Sequence, residues 1–125
     1  MLVIGGNNMN VLVYPKCTTC KKAIKWLKDN DVEAVVRHIV EEPLSRDEIK
    51  ELHLKSGLEI KKFFNTSGMK YRELGLKDRL KEMSLDECYD LLASDGMLVK
   101  RPLAYDEEKV TLGFKEDTYN EQWKK

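Results

Sequence analysis

Residues 11–23 have the sequence VLVYPKCTTCKKA. This stretch predicts the first strand and the first helix, and the remaining elements are assigned on either side of it. The apolar run Val11–Tyr14 is short and is ended by a proline, a pattern typical of a buried central strand. Two cysteines, Cys17 and Cys20, follow at once. Apolar residues then recur at helical spacing among lysines, which predicts an amphipathic helix from Thr19 to Asn30.

A second strand, rich in valine, is predicted from Ala34 to Ile39. A strand, a helix and another strand within about 30 residues form a βαβ unit, in which the two strands are parallel and the crossover is right-handed. The sequence therefore predicts that the cysteine pair lies at the junction between the first strand and the helix of a βαβ unit.

A helical insertion is predicted from about residue 43 to residue 96. It contains two capping boxes, Ser45–Glu48 and Ser84–Glu87, in which a serine precedes a glutamate by three residues and a helix begins. Gly96 is predicted to end the last of these helices in a left-handed conformation. Two shorter helical pieces are predicted at Leu58–Phe64 and Tyr71–Leu74.

The C-terminal part is predicted to form a hairpin and a helix. The strands Met97–Val99 and Val110–Gly113 would pair antiparallel around the polar turn Asp106–Glu108. An amphipathic helix, Lys115–Trp123, would then cover one face of the sheet. The predicted order is βαβ, helices, ββα, which gives an α/β fold with a four-stranded mixed sheet.

The chain of 125 residues has the length of one domain with one core. We assign residues 9–125 to that domain and regard residues 1–8 as an extension without a role. Basic and acidic residues balance at 22 each, so no long-range field favours nucleic acid or a membrane surface. No apolar run approaches a membrane span and no signal peptide is evident, which predicts a cytoplasmic protein.

The spacing of the two cysteines is compatible with reversible formation of a disulfide. Free N–H groups and the helix dipole at a helix start stabilise a thiolate at Cys17, and the nearby Lys16, Lys21 and Lys22 add positive charge. Cys20 lies one turn further along nearly the same face, close enough to form a disulfide with Cys17. We expect Cys17 to be the attacking sulfur and Cys20 the resolving one.

Two other interpretations of the pair stay open: half of a zinc site, or two unreactive core cysteines. Zinc would need further ligands, and Cys88, His38 and His53 are not in paired spacing. Cys88 lies in an apolar helical pattern and is predicted to be a buried structural residue. We assign no role to the two histidines, and we predict no metal and no cofactor.

Arg101-Pro102 is the other informative pair. A proline between a strand and a turn can adopt the cis form, and the bend would bring Arg101 over the thiolate. The planar guanidinium would there stabilise an anionic sulfur or a bound oxyanion. The alternative is a surface arginine before an ordinary trans proline.

Three segments, YPKCTTCKKA at 14–23, RPL at 101–103 and GFKED at 113–117, resemble the arsenate reductase (ArsC)/Spx family, particularly its small ArsC-like Gram-positive members. The similarity runs from about Met9 to Trp123. It implies a thioredoxin-like fold with a helical insertion, a nucleophilic cysteine at Cys17, and a cis-proline at Pro102 after Arg101.

The resemblance also implies two lines of function. Glutathione- and glutaredoxin-coupled arsenate reductases of this type carry serine in place of Cys20 and an extra arginine near Asn65, whereas a second cysteine is typical of Spx, a disulfide-switched regulator that docks on RNA polymerase. The sequence here reads Asn65-Thr66-Ser67 and therefore lacks that anion-binding cation.

We therefore predict an ArsC-like thiol–disulfide oxidoreductase with catalytic residues Cys17, Cys20, Arg101 and Pro102. The expected reductant is a cellular thiol system, either glutathione with glutaredoxin or thioredoxin, and the chain is expected to be a monomer with no membrane and no direct nucleic-acid partner. The alternative is an Spx-like redox-sensing regulator that binds the RNA polymerase α-subunit.

Overall fold

A computed structural model describes residues 9–124, so the extension predicted at residues 1–8 lies outside the described residues. The described residues divide into two compact units, one formed by residues 9–38 and 101–124, the other by Ile39–Lys100. The first unit holds a four-stranded mixed sheet in the order β2-β1-β3-β4. Its strands are β1 Met9–Val13, β2 Ala34–His38, β3 Leu103–Tyr105 and β4 Val110–Leu112.

The predicted βαβ unit is confirmed. Strands β1 and β2 pair in parallel, with Met9 opposite Ala34 and Val13 opposite His38. Helix α1, Thr18–Asp29, connects them. It begins one residue earlier than the periodicity indicated, because the side chain of Cys17 itself caps the helix.

The predicted strand Met97–Val99 is wrong. Residues Gly96–Leu98 form a 3₁₀ turn, and the strand of the hairpin is β3, which begins after Pro102. Strand β3 lies between β1 and β4 and pairs antiparallel with both. A proline has no N–H to donate to either neighbour and is excluded from the middle of a sheet, so the strand starts beyond it.

Helix α6, Glu116–Gln122, is the predicted C-terminal helix, with Lys115 as its N-cap. It contributes the buried Tyr119, and Trp123 follows it. These two aromatic side chains belong to the core of the sheet unit, and Phe114 packs against that core. The buried cluster to which they belong contains residues Met9, Val11, Val13, Cys20, Ala23, Trp26, Leu27, Ala104, Tyr119 and Trp123.

The second unit is helical, as the insertion was predicted to be. Both capping boxes are present: Ser45 and Ser84 each accept the N–H of the glutamate three residues on, whose carboxylate accepts the serine N–H. Arg46 donates to both Asp86 and Asp90, at 2.7 and 2.6 Å, and thereby ties the two capped helices together. The helices are α2 Arg46–Ser56, α3 Met69–Glu73, α4 Leu76–Arg79 and α5 Leu85–Ser94, with 3₁₀ turns at Ile60–Phe63 and Leu80–Glu82.

Gly96 does not end α5 in a left-handed conformation, contrary to the prediction. Helix α5 is capped by Asp95 in an extended conformation (φ −157°, ψ 113°), and the glycines with positive φ are others. A Cβ on Gly96 would collide with the backbone carbonyl of Ile39. The glycine is therefore required by close backbone packing and not by its own dihedral angles. Among the described residues, no helix is long and apolar enough to cross a membrane.

Candidate active site

Cys17 is the N-cap of helix α1. Its backbone is extended (φ −84°, ψ 117°), and its Sγ accepts a hydrogen bond from the backbone N–H of Cys20 at 3.4 Å. Its own N–H donates to the carbonyl of Tyr14 at 2.9 Å, which closes the turn after β1. The sulfur therefore takes the place of the oxygen that usually caps a helix.

The electrostatic environment lowers the pKa of the Cys17 thiol. Partial burial raises this pKa, but hydrogen bonds from the thiol and N–H of Cys20, the charge of Arg101 and a hydrogen bond from the N–H of Thr19 together outweigh the burial. Cys17 is partly accessible to solvent. A thiol with a lowered pKa and access to solvent is the combination that reactive cysteines share.

Cys20 has the opposite environment. It is only 2% exposed. Burial is the main cause that raises the pKa of this thiol to about 12, and the hydrogen bond to Cys17 and the charge on that sulfur raise it further. A backbone hydrogen bond from Tyr14 and the charge of Arg101 lower the pKa but do not outweigh these causes. Both sulfurs are free thiols. One partly accessible thiol with a lowered pKa and one buried thiol with a raised pKa thus lie within a single helical turn.

Arg101 is near the pair, as predicted. Its charge lowers the pKa values of both Cys17 and Cys20, and its guanidinium carbon lies 5.3 Å from the centre of the Tyr14 ring in a cation–π contact. The Arg101–Pro102 peptide bond is cis. The ring of Tyr14 thus supports a cation beside the two sulfurs.

The three lysines expected to assist do not form part of this arrangement. Lys16, Lys21 and Lys22 are exposed, and the cation that lowers the pKa of Cys17 is Arg101. Tyr14 is a site residue that the sequence pattern marks only as strand, although it contributes both a carbonyl to the Cys17 turn and a ring to Arg101. Its position directly before the proline of the turn is the signal that could have found it.

The remaining cysteine and the histidines lie in other settings. Cys88 is buried in α5, as predicted, and burial raises the pKa of its thiol. The Nδ1 atom of His53 is 2.6 Å from the hydroxyl of Tyr89, and the ring of His38 packs edge-on against Tyr14 at 5.9 Å between centroids. Within residues 9–124 no three His, Cys, Asp or Glu side chains group as metal ligands would.

The sheet order, the βαβ and ββα halves, and the cysteine-capped first helix define a thioredoxin-like protein. The family model for the ArsC family matches residues 12–122, and the chain belongs to that family.

Two relatives and one solved structure show what the chain is similar to. Over 110 residues the chain is 63% identical to the uncharacterized protein YusI of Bacillus subtilis, covering 88% of this chain and 93% of YusI. It is 32% identical over 103 residues to the global transcriptional regulator Spx of Listeria innocua, covering 82% of this chain and 77% of Spx. Among solved structures, a possible arsenate reductase from Streptococcus mutans superposes with a TM-score of 0.82 at 46% identity, covering 87% of this chain and 92% of that one.

Proposed function

We propose that this protein is a thiol–disulfide oxidoreductase that uses Cys17 and Cys20 as a redox pair. The Cys17 thiolate attacks a disulfide R–S–S–R′, forms the mixed disulfide Cys17–S–S–R and releases R′–S⁻. The Cys20 sulfur then attacks the Cys17 sulfur, releases R–S⁻ and leaves a Cys17–Cys20 disulfide. A cellular dithiol or glutathione returns two electrons to that disulfide.

The observation that carries the proposal is the position of Cys17 as the N-cap of α1, with its sulfur accepting the N–H of Cys20 at 3.4 Å. Arg101 supports the same chemistry, because its charge favours the thiolate form of Cys17. In this proposal Cys17 and Cys20 exchange disulfides, Arg101 stabilises the attacking thiolate, and Pro102 holds the backbone of Arg101.

The reaction needs a reducing compartment, so we place the protein in the cytoplasm and infer that glutathione with glutaredoxin, or thioredoxin, is the reductant. The proposed chemistry uses residues of one chain, which is consistent with a working monomer. Arsenate is a further candidate substrate, in keeping with the similarity to the possible arsenate reductase from S. mutans.

The direct test is a titration of the thiols of the purified protein in glutathione redox buffers. We expect a Cys17–Cys20 disulfide that forms reversibly near the cytosolic poise of about −220 to −320 mV. Cys20→Ser should abolish it, and Cys88→Ala should leave its potential unchanged. Failure to form the disulfide in any buffer, with Cys17 alkylated no faster than a free cysteine, would contradict the proposal.

A second candidate is a redox-sensing regulator, favoured by the similarity to Spx over 82% of this chain. In that case the dithiol is a sensor, and its disulfide controls binding to the RNA polymerase α-subunit. Turnover separates the two: catalytic amounts of protein should reduce a small mixed disulfide or arsenate, with activity lost in Cys17→Ser. Absence of turnover, together with redox-dependent binding of the purified C-terminal domain of the polymerase α-subunit, would favour the regulator.

A further inference from the structure

Tyr14 joins β1 to the cysteine-capped helix through a β-turn. Its carbonyl accepts the N–H of Cys17 at 2.9 Å, which is the hydrogen bond between the first and the fourth residue of such a turn. Pro15 is the second residue of the turn, a position at which proline is favoured. The Cα atoms of the first and fourth residues of a β-turn are less than about 7 Å apart. The backbones of Tyr14 and Cys17 are therefore held close together.

The half-buried ring of Tyr14 contacts two other segments of the sheet unit. The guanidinium carbon of Arg101 lies 5.3 Å from the centre of the ring. The ring of His38 packs edge-on against it at 5.9 Å between centroids. His38 is the last residue of β2 and lies opposite Val13, the residue before Tyr14. The contact with His38 thus limits the directions in which the Tyr14 ring can face.

The backbone next to Arg101 is fixed by the sheet, whereas the side chain is long and can adopt many rotamers. The carbonyl of Pro102 accepts the N–H of Gly113, directly after β4, at 2.9 Å. Ordering an arginine side chain costs rotamer entropy, so a favourable contact is needed to hold it in one place. A guanidinium over the face of an aromatic ring has such a contact. The ring of Tyr14 therefore restricts the positions of the Arg101 guanidinium.

An aromatic ring differs from a carboxylate as a partner for this cation. A carboxylate would hold the guanidinium but would offset its charge, so that little of the field would reach a neighbouring sulfur. The ring attracts the cation through its quadrupole and brings no negative charge. Burial raises the pKa of the Cys17 thiol, and hydrogen bonds from Cys20 and the charge of Arg101 lower it. A partner that leaves the charge of Arg101 intact preserves the last of these effects.

We propose that Tyr14 is a positioning residue for the attacking thiolate, and that its ring holds the guanidinium of Arg101 beside the turn that carries Cys17. This inference rests on the proposed function and adds a residue to it, since the roles there belong to the two cysteines, Arg101 and Pro102. Tyr14 exchanges neither a proton nor an electron in this role. Its ring acts on Cys17 through Arg101.

The test measures the rate at which iodoacetamide alkylates Cys17 as a function of pH. It uses a Cys88→Ala background, and mass spectrometry identifies the modified residue. Tyr14→Leu removes the ring and keeps the backbone carbonyl that binds the N–H of Cys17. We expect the rate at neutral pH to fall about two- to tenfold, as for the loss of one cation–π contact, and the pH midpoint to move upward. The shift should be no larger than that in Arg101→Gln.

Two comparisons make the result specific. Tyr14→Phe keeps the ring and the cation–π contact, so its rate and midpoint should stay close to those of the parent. In an Arg101→Gln background, Tyr14→Leu should cause no further shift, because there is no guanidinium left to position. Circular dichroism and thermal unfolding check that each variant is folded. Tyr14→Val takes the place of Tyr14→Leu if the leucine variant does not fold.

Three results would overturn the role of Tyr14. The first is a midpoint in Tyr14→Leu equal to that of the parent. The second is an equal shift with and without the Arg101 guanidinium, because Tyr14 would then act through the turn alone. The third is a loss in Tyr14→Phe as large as in Tyr14→Leu, which would assign the effect to the hydroxyl.

Failure of the proposed function gives a different result. If the parent forms no Cys17–Cys20 disulfide in any glutathione buffer, the oxidoreductase mechanism is contradicted. The alkylation rates do not depend on that disulfide. The comparison of Tyr14→Leu with Tyr14→Phe therefore still decides the role of Tyr14.

Discussion

The backbone N–H of Cys20 donates to the Sγ of Cys17 at 3.4 Å, so Cys20 favours the ionised form of the Cys17 thiol. The same helical turn lowers the pKa of Cys17 and raises the pKa of Cys20 to about 12. Two thiols three residues apart therefore differ in acidity.

Removing the cation beside Cys17 should make this thiol less acidic. In Arg101→Gln the pH midpoint of Cys17 alkylation is expected to move upward, because the charge of Arg101 favours the thiolate. The measurement is the rate of iodoacetamide reaction against pH. Lys100→Gln removes the adjacent, exposed cation and should leave the midpoint in place; an equal shift in both variants would refute a specific role of Arg101.

The buried thiol of Cys20 should make the reduced protein less stable in alkali. Its pKa is about 12 in the fold and about 8.5 in an unfolded chain, so between these values the folded state holds more protons than the unfolded state. The free energy of unfolding must then fall as the pH rises through this interval.

Denaturant unfolding under reducing conditions checks this dependence. The decline with pH should be shallower in Cys20→Ala than in the parent. Because lysines and tyrosines titrate in the same range, the comparison is between the slopes of the two proteins. Identical slopes would show that the thiol of Cys20 is not protonated preferentially in the fold.

Gly96→Ala should destabilise the helical unit by about 3 kcal/mol or more, since the new Cβ meets the rigid carbonyl of Ile39. Gly57→Ala is the matched comparison. Gly57 has a φ of 68°, and a methyl group added there would meet no atom within 4 Å, so only backbone strain of about 1–2 kcal/mol is expected. Chemical denaturation measures the free energy of unfolding of both variants. Equal decreases in the two variants would show that the backbone at Ile39 shifts to make room for the new methyl group.

If residues 9–125 form one domain with an insertion at about 43–96, both units should unfold together. Trp26 and Trp123 report on the sheet unit by fluorescence, and alkylation of the buried Cys88 reports on the helical unit. With Cys17 and Cys20 replaced by serine, the two probes should give one denaturant midpoint. Separate midpoints would mean that the two units are independent domains.

The parts of the fold predicted correctly depend on short-range chemistry. The βαβ unit follows from periodicity around residues 11–39, and the two capping boxes follow from serine and glutamate three residues apart. The errors lie where long-range packing decides. Met97–Val99 has strand-like composition, but Met97 and Leu98 lie in a 3₁₀ turn and Val99 is its C-cap. The strand that pairs in the sheet is formed instead by the residues after Pro102.

Some features of the candidate site likewise follow from local sequence signals, and others depend on long-range packing. That Cys17 stands at a helix start with Cys20 one turn beyond is determined by the sequence alone, because a strand end, a proline and a helical repeat are local signals. The sequence offered the approach of Arg101 to Cys17 as one of two alternatives, and the tertiary structure decided between them. That Tyr119 is buried in the same core as Cys20 was decided by the tertiary structure alone. Contacts between distant segments depend on which strand and which helix face pack together, and no spacing within one segment encodes that choice.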